Sequence, residues 1–169
     1  RRLLRSRLLP GAVFLALSMP AAAQTIIYAR VGAVGGDGTC GLPYGTIAAA
    51  LADAKTSPAP TEIRLGGGTY SESGLLIDFS DVTIKGGYPS AFPGCPADAT
   101  IEASRDIVAN VTTINAGQVD RHLSITPQVD GTGNFLASNT GIVIDGITFV
   151  GGRPSGAASL SGGSIYITN

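Results

Sequence analysis

The sequence is poor in the residues that most often carry charge, catalysis or nucleic-acid binding. Only 14% of its 169 residues are charged, and it contains no tryptophan, one methionine and one histidine. Its eleven basic residues form no continuous stripe, so we do not expect a nucleic-acid partner. A hydrophobic content of 44% is too high for a disordered chain. The 24 glycines are in excess and suit a fold with many tight corners.

Residues 1–23 have the features of a secretory signal peptide. Four arginines precede an apolar run from Leu8 to Met19, which is too short to span a bilayer. Ala21-Ala22-Ala23 provides the small residues that signal peptidase recognises, so we predict cleavage before Gln24 and export. A membrane anchor is the alternative. After cleavage seven basic and twelve acidic residues remain, a net charge of about −5, and no membrane-spanning segment is expected.

The chain contains two cysteines, Cys40 and Cys95. In an exported protein an even pair predicts a disulfide. It would close a loop of about 56 residues, worth up to roughly 4 kcal/mol in the chain-entropy model. Reduced thiols or a metal pair are the alternatives, although two cysteines and one distant histidine do not make a zinc site.

Short apolar segments recur from residue 61 onward, with spacings of 17 to 24 residues between their central isoleucines. Most alternate apolar with polar residues, which indicates strands with one inward face. Such self-similarity is typical of stacked coils. We therefore predict an all-β fold, a right-handed parallel β-helix over residues 61–169, its hand following the crossover rule. A sandwich of short strands is the alternative. The central residues are Ile63, Ile84, Ile101, Ile125, Ile144 and Ile165.

Residues 24–60 are predicted to form a strand, a glycine-rich loop and the chain's one helix. Thr46 is a good N-cap, and the apolar residues of 47–54 share one helical face. The run from Ser57 to Pro60 ends the helix. We expect this helix to cover the open end of the β-helix core. Because the sequence lacks a first Met and stops within a strand pattern, we expect the intact protein to be longer.

Gly36–Gly41 matches the G-x-G-x-x-G pattern of dinucleotide-binding loops, with Glu62 about 20 residues further on. The predicted helix begins too late for its N-terminus to meet a pyrophosphate. No second predicted helix supports a doubly wound sheet. We therefore expect no nicotinamide cofactor and a glycine loop held by Cys40.

Several short motifs follow one another along the chain: Gly36-Asp37-Gly38, Thr46–Leu51, Glu62–Leu65, Gly68-Thr69-Tyr70, Val82–Tyr88 and Ile144–Gly152. In this order they resemble secreted bacterial proteins of the pectin-lyase-like β-helix superfamily. Gly162-Gly163-Ser164-Ile165 is also similar to the Gly-Gly-Ala-Ile repeat of polymorphic outer-membrane proteins. The resemblance implies a parallel β-helix, but lyases, hydrolases, adhesins and autotransporter passengers all share that scaffold.

Candidate chemical groups are few, and we predict no catalytic residue. Lys85 and Asp145 occupy analogous places after Ile84 and Ile144, so they should lie near one corner, as solvated residues or in a saccharide site. Glycosidases and Ca²⁺-assisted lyases need clustered acids, and the acids here are spread singly.

Three other groups of side chains could carry chemistry. Asp130, Thr132 and Asn134 are weak Ca²⁺ ligand candidates, since Phe135 stands where an EF-type loop needs glycine. His122 could pair with a serine such as Ser124, but no nucleophile elbow is present. Four tyrosines could stack on sugars or close corners of the core, namely Tyr28, Tyr70, Tyr88 and Tyr166.

The sequence therefore predicts an exported protein that is secreted, periplasmic or on the outer membrane or cell surface. Its expected function is adhesin-like or carbohydrate-contacting, without catalysis in this stretch, and its oligomeric state is left open. The alternative is the N-terminal part of a polysaccharide lyase or glycoside hydrolase whose active site lies elsewhere in a longer protein.

Overall fold

The computed structural model describes residues 23–92, 94, 95, 98–154 and 163–168. The predicted signal peptide, apart from Ala23, lies outside the described residues. The described strands are short, mostly three to five residues, and two helices accompany them. The elements are β1 (Thr25–Ala29), α1 (Ile47–Thr56), β2 (Thr61–Gly66), β3 (Gly68–Tyr70), β4 (Leu75–Ile77), β5 (Val82–Tyr88), α2 (Asp98–Ala103), β6 (Thr112–Asn115), β7 (Leu123–Ile125), β8 (Gln128–Val129), β9 (Phe135–Ala137), β10 (Val143–Asp145), β11 (Ile147–Val150) and β12 (Ile165–Ile167).

The strands assemble into three parallel sheets and one antiparallel pair. Sheet A has the order β1-β2-β5-β10, sheet B the order β3-β6-β11 and sheet C the order β4-β7-β12. Strands β8 and β9 form the antiparallel pair. Neighbours within the three larger sheets are parallel, and apart from β1 and β2 they are not consecutive strands, so each of these sheets is built through crossovers.

This layout corrects the prediction of an all-β, single right-handed parallel β-helix with a helical cap. The described residues form several short sheets, one of them antiparallel, and include two helices. Sharp glycine corners explain why a strand does not extend further: Gly68 has φ 137° and Gly146 φ 67°, conformations that other residues rarely adopt. The segment 89–110 and the β8–β9 hairpin also interrupt the regular spacing on which the prediction depended.

The predicted register within sheet A is confirmed. Ile63 pairs with Ile84, and Ile84 pairs with Ile144, all in parallel strands. Ile63 and Ile84 are buried, while Ile144 is half-buried. Side chains from all three parallel sheets, including Leu75 and Ile114, join them in one apolar core. Burying such side chains is the main stabilising term of the fold.

Helix α1 forms as predicted and closes one end of this core. The Thr46 hydroxyl accepts a hydrogen bond from the Ala49 amide, and the buried face packs against β1, β2 and β4. At the outer edge of β1, the Tyr28 amide donates to the Gly38 carbonyl, and the Tyr44 amide donates to the Tyr28 carbonyl. The glycine-rich loop therefore occupies backbone groups that would otherwise be an open sheet edge.

Helix α2 was not predicted, and Ile101 was wrongly assigned to a strand. Ile101 lies in α2 and packs with Tyr88 and Phe92 in a second, smaller apolar cluster. The predicted disulfide between Cys40 and Cys95 is confirmed, with the two Cα atoms 5.6 Å apart. It joins the glycine-rich loop to the segment that carries α2.

Candidate functional site

The outer face of sheet A carries a cluster of four charged side chains, which we call the ionic cluster: Glu62, Arg64, Lys85 and Glu102. Glu62 and Arg64 are two residues apart on β2, so their side chains share one face. The parallel register places Arg64 beside Lys85 of β5. Glu102 reaches the same face from α2. The backbone of two sheet strands and one helix thus brings these groups together.

Opposite charges in the ionic cluster are closely paired. The Arg64 Nε lies 2.6 Å from Glu62 Oε1, and the Lys85 Nζ lies 2.8 Å from Glu62 Oε2. Lys85 also approaches Glu102 Oε1 at 3.2 Å. The side chains of Glu62 and Arg64 are each 6% exposed, which means that the pair is removed from water and depends on its partners.

Aromatic rings form one wall of the cluster. The guanidinium carbon of Arg64 lies 5.7 Å from the Tyr28 ring centre and 5.6 Å from that of Tyr88, within the range of cation–π attraction. The Tyr88 hydroxyl donates a 2.6 Å hydrogen bond to Glu102 Oε2. Phe92 packs edge-on against Tyr28, with the ring centres 5.0 Å apart. The segment around Phe92 and Cys95, which the disulfide holds in place, therefore covers Glu62 and Arg64, the buried part of the cluster.

A second ion pair extends this face toward β10. Arg105 Nη2 lies 2.8 Å from Asp145 Oδ2, and the Arg105 Nε donates to the Gly86 carbonyl at 2.8 Å. The Asp145 side chain is 50% exposed, compared with 6% for Glu62. The charged face thus runs from a buried end on β2 to an accessible end on β10. The proximity of Asp145 to Lys85 was expected from the sequence, and in the structure the two residues are paired in register.

These contacts change the acid–base properties of the cluster. Burial acts to lower the pKa of Lys85, but its hydrogen bonds and attraction to Glu62 and Glu102 prevail and raise that pKa. Partial burial likewise acts to raise the pKa of Glu102, but hydrogen bonds from Tyr88 and Lys85 hold it below its ordinary value. Burial and the hydrogen bond to Glu102 raise the pKa of the Tyr88 phenol.

The Lys85 ammonium is poorly suited to act as a general base. A general base must lose its proton near working pH, whereas Lys85 holds its proton more firmly than a free lysine does. The six charges of this face, three positive and three negative, also balance. Charges that are balanced in this way offer hydrogen-bond donors and acceptors to a polar ligand without a strong field of either sign. The interpretation of Lys85 as a solvated turn residue is wrong, since it joins two ion pairs.

Asp130, Thr132 and Asn134 lie together in the turn between β8 and β9, where they hydrogen-bond to one another. Asp130 Oδ1 accepts from the Thr132 and Asn134 amides, at 2.9 Å each, and from the Thr132 hydroxyl at 2.7 Å. Hydrogen bonds from Thr132 and Asn134 lower the Asp130 pKa. These contacts account for the turn itself. Among the residues that the structure describes, no group of three or more His, Cys, Asp or Glu side chains is placed to hold a metal.

His122 is fully buried between strands and is not paired with Ser124. Its Nε2 lies 2.7 Å from the Val150 carbonyl oxygen, which can only accept, so this nitrogen carries the proton. Nδ1 has no hydrogen-bond partner within the described part of the chain. The ring packs edge-on against Phe149 at 5.1 Å. Among the residues that the structure describes, the His122 ring packs in the core and no serine hydroxyl hydrogen-bonds to it.

The four tyrosines do not line one groove. Tyr28, Tyr70 and Tyr88 are buried. The Tyr70 hydroxyl donates to the carbonyls of Ala29 and Gly66, and Tyr166 lies under the Arg121 guanidinium at 4.6 Å. Their role in the described structure is to pack corners and support the charged face.

The glycine-rich motif has no free helix N-terminus to offer a phosphate. The Glu72 carboxylate accepts hydrogen bonds from the first two amides of α1, at 2.7 Å from Ile47 and 2.9 Å from Ala48. Within the loop, the amides of Asp37 and Gly38 both donate to the Leu42 carbonyl. A pyrophosphate would need the groups that Glu72 already occupies.

Sequence reasoning missed the ionic cluster, although one signal for it was present. Alternation places Glu62 and Arg64 on the outward face of β2, where charged side chains are usually solvated. The predicted register already put Lys85 beside Arg64. The position of Glu102 over this face could not be predicted, because α2, which carries Glu102, was not predicted.

Comparison with family models, with curated proteins and with solved structures found no match to this chain. In the described residues, no helix is both long enough and apolar enough to cross a membrane.

Proposed function

We propose that the chain belongs to an exported, non-catalytic surface or secreted protein of adhesin type, whose outer sheet A face contacts carbohydrate. The observation that carries the proposal is the disulfide between Cys40 and Cys95. Such bonds persist in oxidising compartments outside the cytoplasm. The signal-like residues 1–23 support the same location.

The accessible end of the charged face is the part suited to a ligand. Lys85, Glu102, Arg105 and Asp145 are partly exposed there, with both charge signs alternating. Saccharide hydroxyls donate and accept hydrogen bonds, so they match such a surface better than a ligand of one charge sign does. Because Lys85 has a raised pKa and every charge has a partner of opposite sign, binding without bond cleavage fits this geometry best.

Export is tested by fusing alkaline phosphatase, which gains activity only outside the cytoplasm, to the C-terminus of the full chain in a bacterial host. We expect activity for the natural sequence and its loss in Leu15→Arg, which interrupts the apolar run. Val34→Arg, at a position 94% exposed, serves as the matched control and should remain active. Equal activity for the natural sequence and Leu15→Arg would contradict export through this segment.

Carbohydrate contact is tested by affinity electrophoresis against neutral and uronic-acid polysaccharides. We expect retarded migration on at least one polymer and a loss of at least tenfold in affinity for Asp145→Asn, since a hydrogen bond to a charged group contributes about 1.5–3 kcal/mol and about 1.4 kcal/mol corresponds to tenfold in affinity. Asp78→Asn is the control. Ultraviolet absorbance from unsaturated sugar ends, lost in Asp145→Asn, would instead favour the polysaccharide lyase alternative. No binding to any polymer would remove the carbohydrate part of the proposal and leave export untouched.

A further inference from the structure

The described residues of the segment 89–110 form a separate layer on the outer face of sheet A, and we call them the cover. They contribute two buried apolar side chains, Phe92 and Ile101, which pack with Tyr28 and Tyr88 of the sheet in the smaller apolar cluster. These four residues are not part of the main core, whose side chains come from α1 and the three parallel sheets. The cover and the core are therefore packed as two separate units.

The polar contacts that join the cover to sheet A are partly exposed. The Glu102 carboxylate contacts Tyr88 and Lys85, and its side chain is 41% exposed. Ion pairs that water reaches contribute little to stability. The Asp106 amide also donates to the Gly87 carbonyl at 2.8 Å. Together with two apolar side chains, these contacts hold the cover less firmly than the core is held.

The backbone near the disulfide is held in an unfavourable conformation. Phe92 and Cys95 each have φ 40°, in the left-handed region that residues with a side chain rarely adopt. Such conformations cost free energy and persist only where the surrounding contacts impose them. Here those contacts include the packing of Phe92 against Tyr28 and the covalent bond from Cys95 to Cys40. Breaking that bond removes one of these restraints.

The two cysteines differ in how firmly the rest of the chain holds them. Cys40 lies in the glycine-rich loop, whose Gly38 carbonyl accepts a hydrogen bond from the Tyr28 amide on β1. This loop stays attached to the sheet by backbone hydrogen bonds whether or not the disulfide is present. Cys95 lies in the cover and is exposed. The cover is therefore the side that moves when the bond is broken.

From this arrangement we propose that the Cys40–Cys95 disulfide is a reducible latch, whose opening by a dithiol lets the cover leave sheet A while the core stays folded. A thiolate of the dithiol attacks Sγ of Cys95, the S–S bond breaks, and Cys40 leaves as a thiolate that takes up a proton. The second thiol of the reductant then displaces Cys95 from the mixed disulfide. Two electrons and two protons thus pass from the dithiol, which becomes a disulfide, to the two cysteines.

Opening of the latch changes the charged face. Glu62 and Arg64, whose side chains are each 6% exposed beneath the cover, become accessible together with the rings of Tyr28 and Tyr88. Glu102 leaves the face with α2. The supply of dithiol reductant therefore decides how much of this face a ligand can reach. The inference holds whether or not the ligand is a carbohydrate.

Hydrogen exchange of the folded natural chain, followed by mass spectrometry with and without dithiothreitol, tests the latch. We expect peptides from residues 98–110 to exchange at least tenfold faster in the reduced protein, while peptides from α1 and β2 keep their rates. Trypsin supplies a second measurement. Cleavage after Arg105, in the cover, should become faster on reduction, whereas cleavage after Lys85, in β5, should not.

Two kinds of variant provide the controls. Cys40→Ser/Cys95→Ser should exchange like the reduced natural chain and should not respond to dithiothreitol, which separates the latch from other effects of the reagent. Phe92→Ala weakens the packing of the cover and should speed reduction of the disulfide. Val108→Ala, at a position 82% exposed in the same segment, is the matched control and should leave the rate of reduction unchanged.

Equal exchange of residues 98–110 in the oxidised and reduced natural chain would overturn the proposal, because the cover would then stay in place without the bond. Faster exchange in α1 and β2 as well would also overturn it, since the disulfide would then hold the whole fold. A disulfide that dithiothreitol reduces only in denaturant would equally contradict it. The two redox states of the natural chain decide between these outcomes even if the double variant fails to fold.

Discussion

Glu62 and Arg64 lie on the same face of β2, and their side chains form an ion pair of 2.6 Å in which each is only 6% exposed. Burial by itself would lower the pKa of Arg64, but the hydrogen bond and the negative charge of Glu62 outweigh it and raise that pKa. The Arg64 guanidinium therefore holds its proton firmly where water scarcely reaches. The stability of the ion pair depends on both partners remaining in place.

Glu62→Gln should destabilise the protein strongly. The substitution removes the carboxylate that Arg64 and Lys85 share and leaves these two positive charges with Glu102 as the carboxylate that contacts both, and breaking a buried pair in this way should cost roughly 3–5 kcal/mol. Denaturant unfolding measures the loss. Asp78→Asn is the control, because its partner Lys55 is 53% exposed and such pairs contribute about 1 kcal/mol or less. Equal losses in the two variants would show that the ionic cluster is solvated.

Ile84→Ala tests the stacking of the sheet A core. Ile84 is 3% exposed and pairs in register with Ile63 and Ile144, so removing its side chain should cost roughly 2–5 kcal/mol. Val34→Ala, at a position 94% exposed, should change the free energy of unfolding by no more than about 0.5 kcal/mol. A small cost for Ile84→Ala in denaturant melts would mean that the inward face is wrongly assigned.

The strand positions, the register and α1 could be predicted because each depends on local pattern. Ile63, Ile84 and Ile144 follow an alternation that is visible in the sequence, and Thr46 marks the start of its helix. Separate sheets could not be foreseen in the same way. The sheets separate at corners where a glycine such as Gly146 has a positive φ. A glycine in a loop sequence does not indicate the direction in which the chain will turn.

The candidate site was less predictable because its partners are distant in sequence. Glu62 meets Lys85 across two strands and reaches the neighbourhood of Glu102 only because α2 folds over the sheet. The sequence of α2 is too short to be recognised by a helical pattern, and Ile101 fitted the strand spacing by chance. Glu62 and Arg64 are buried because α2 packs over them in the folded chain. This contact between distant segments is not visible in the sequence of either segment alone.

The disulfide should contribute to stability by restraining the unfolded chain. Cys40 and Cys95 are 55 residues apart, and the chain-entropy model gives about 4 kcal/mol for a loop of that length. We expect Cys40→Ser/Cys95→Ser to unfold at lower denaturant concentration than the natural protein, and the natural protein with dithiothreitol to behave like the variant. Identical midpoints for oxidised and reduced protein would contradict this role.

Glu102 should link stability to acid pH. Its folded pKa is lowered below the ordinary value, so its contribution is present above the unfolded pKa and is lost as pH falls through the folded pKa. Carboxyl NMR should show Glu102 titrating below a free glutamate. Tyr88→Phe removes the 2.6 Å hydrogen bond to Glu102 and should raise that midpoint. A Glu102 midpoint at or above the free value in the natural protein would contradict the geometry.

Export into an oxidising compartment is the central claim, and intact-mass measurement of the protein recovered from the periplasm or the medium tests it most directly. The account predicts a chain that begins at Gln24 and takes up no thiol-alkylating reagent under denaturing, non-reducing conditions, because Cys40 and Cys95 are bonded. Recovery only from the cytoplasm, with Arg1 to Ala23 retained and two alkylated cysteines, would contradict it.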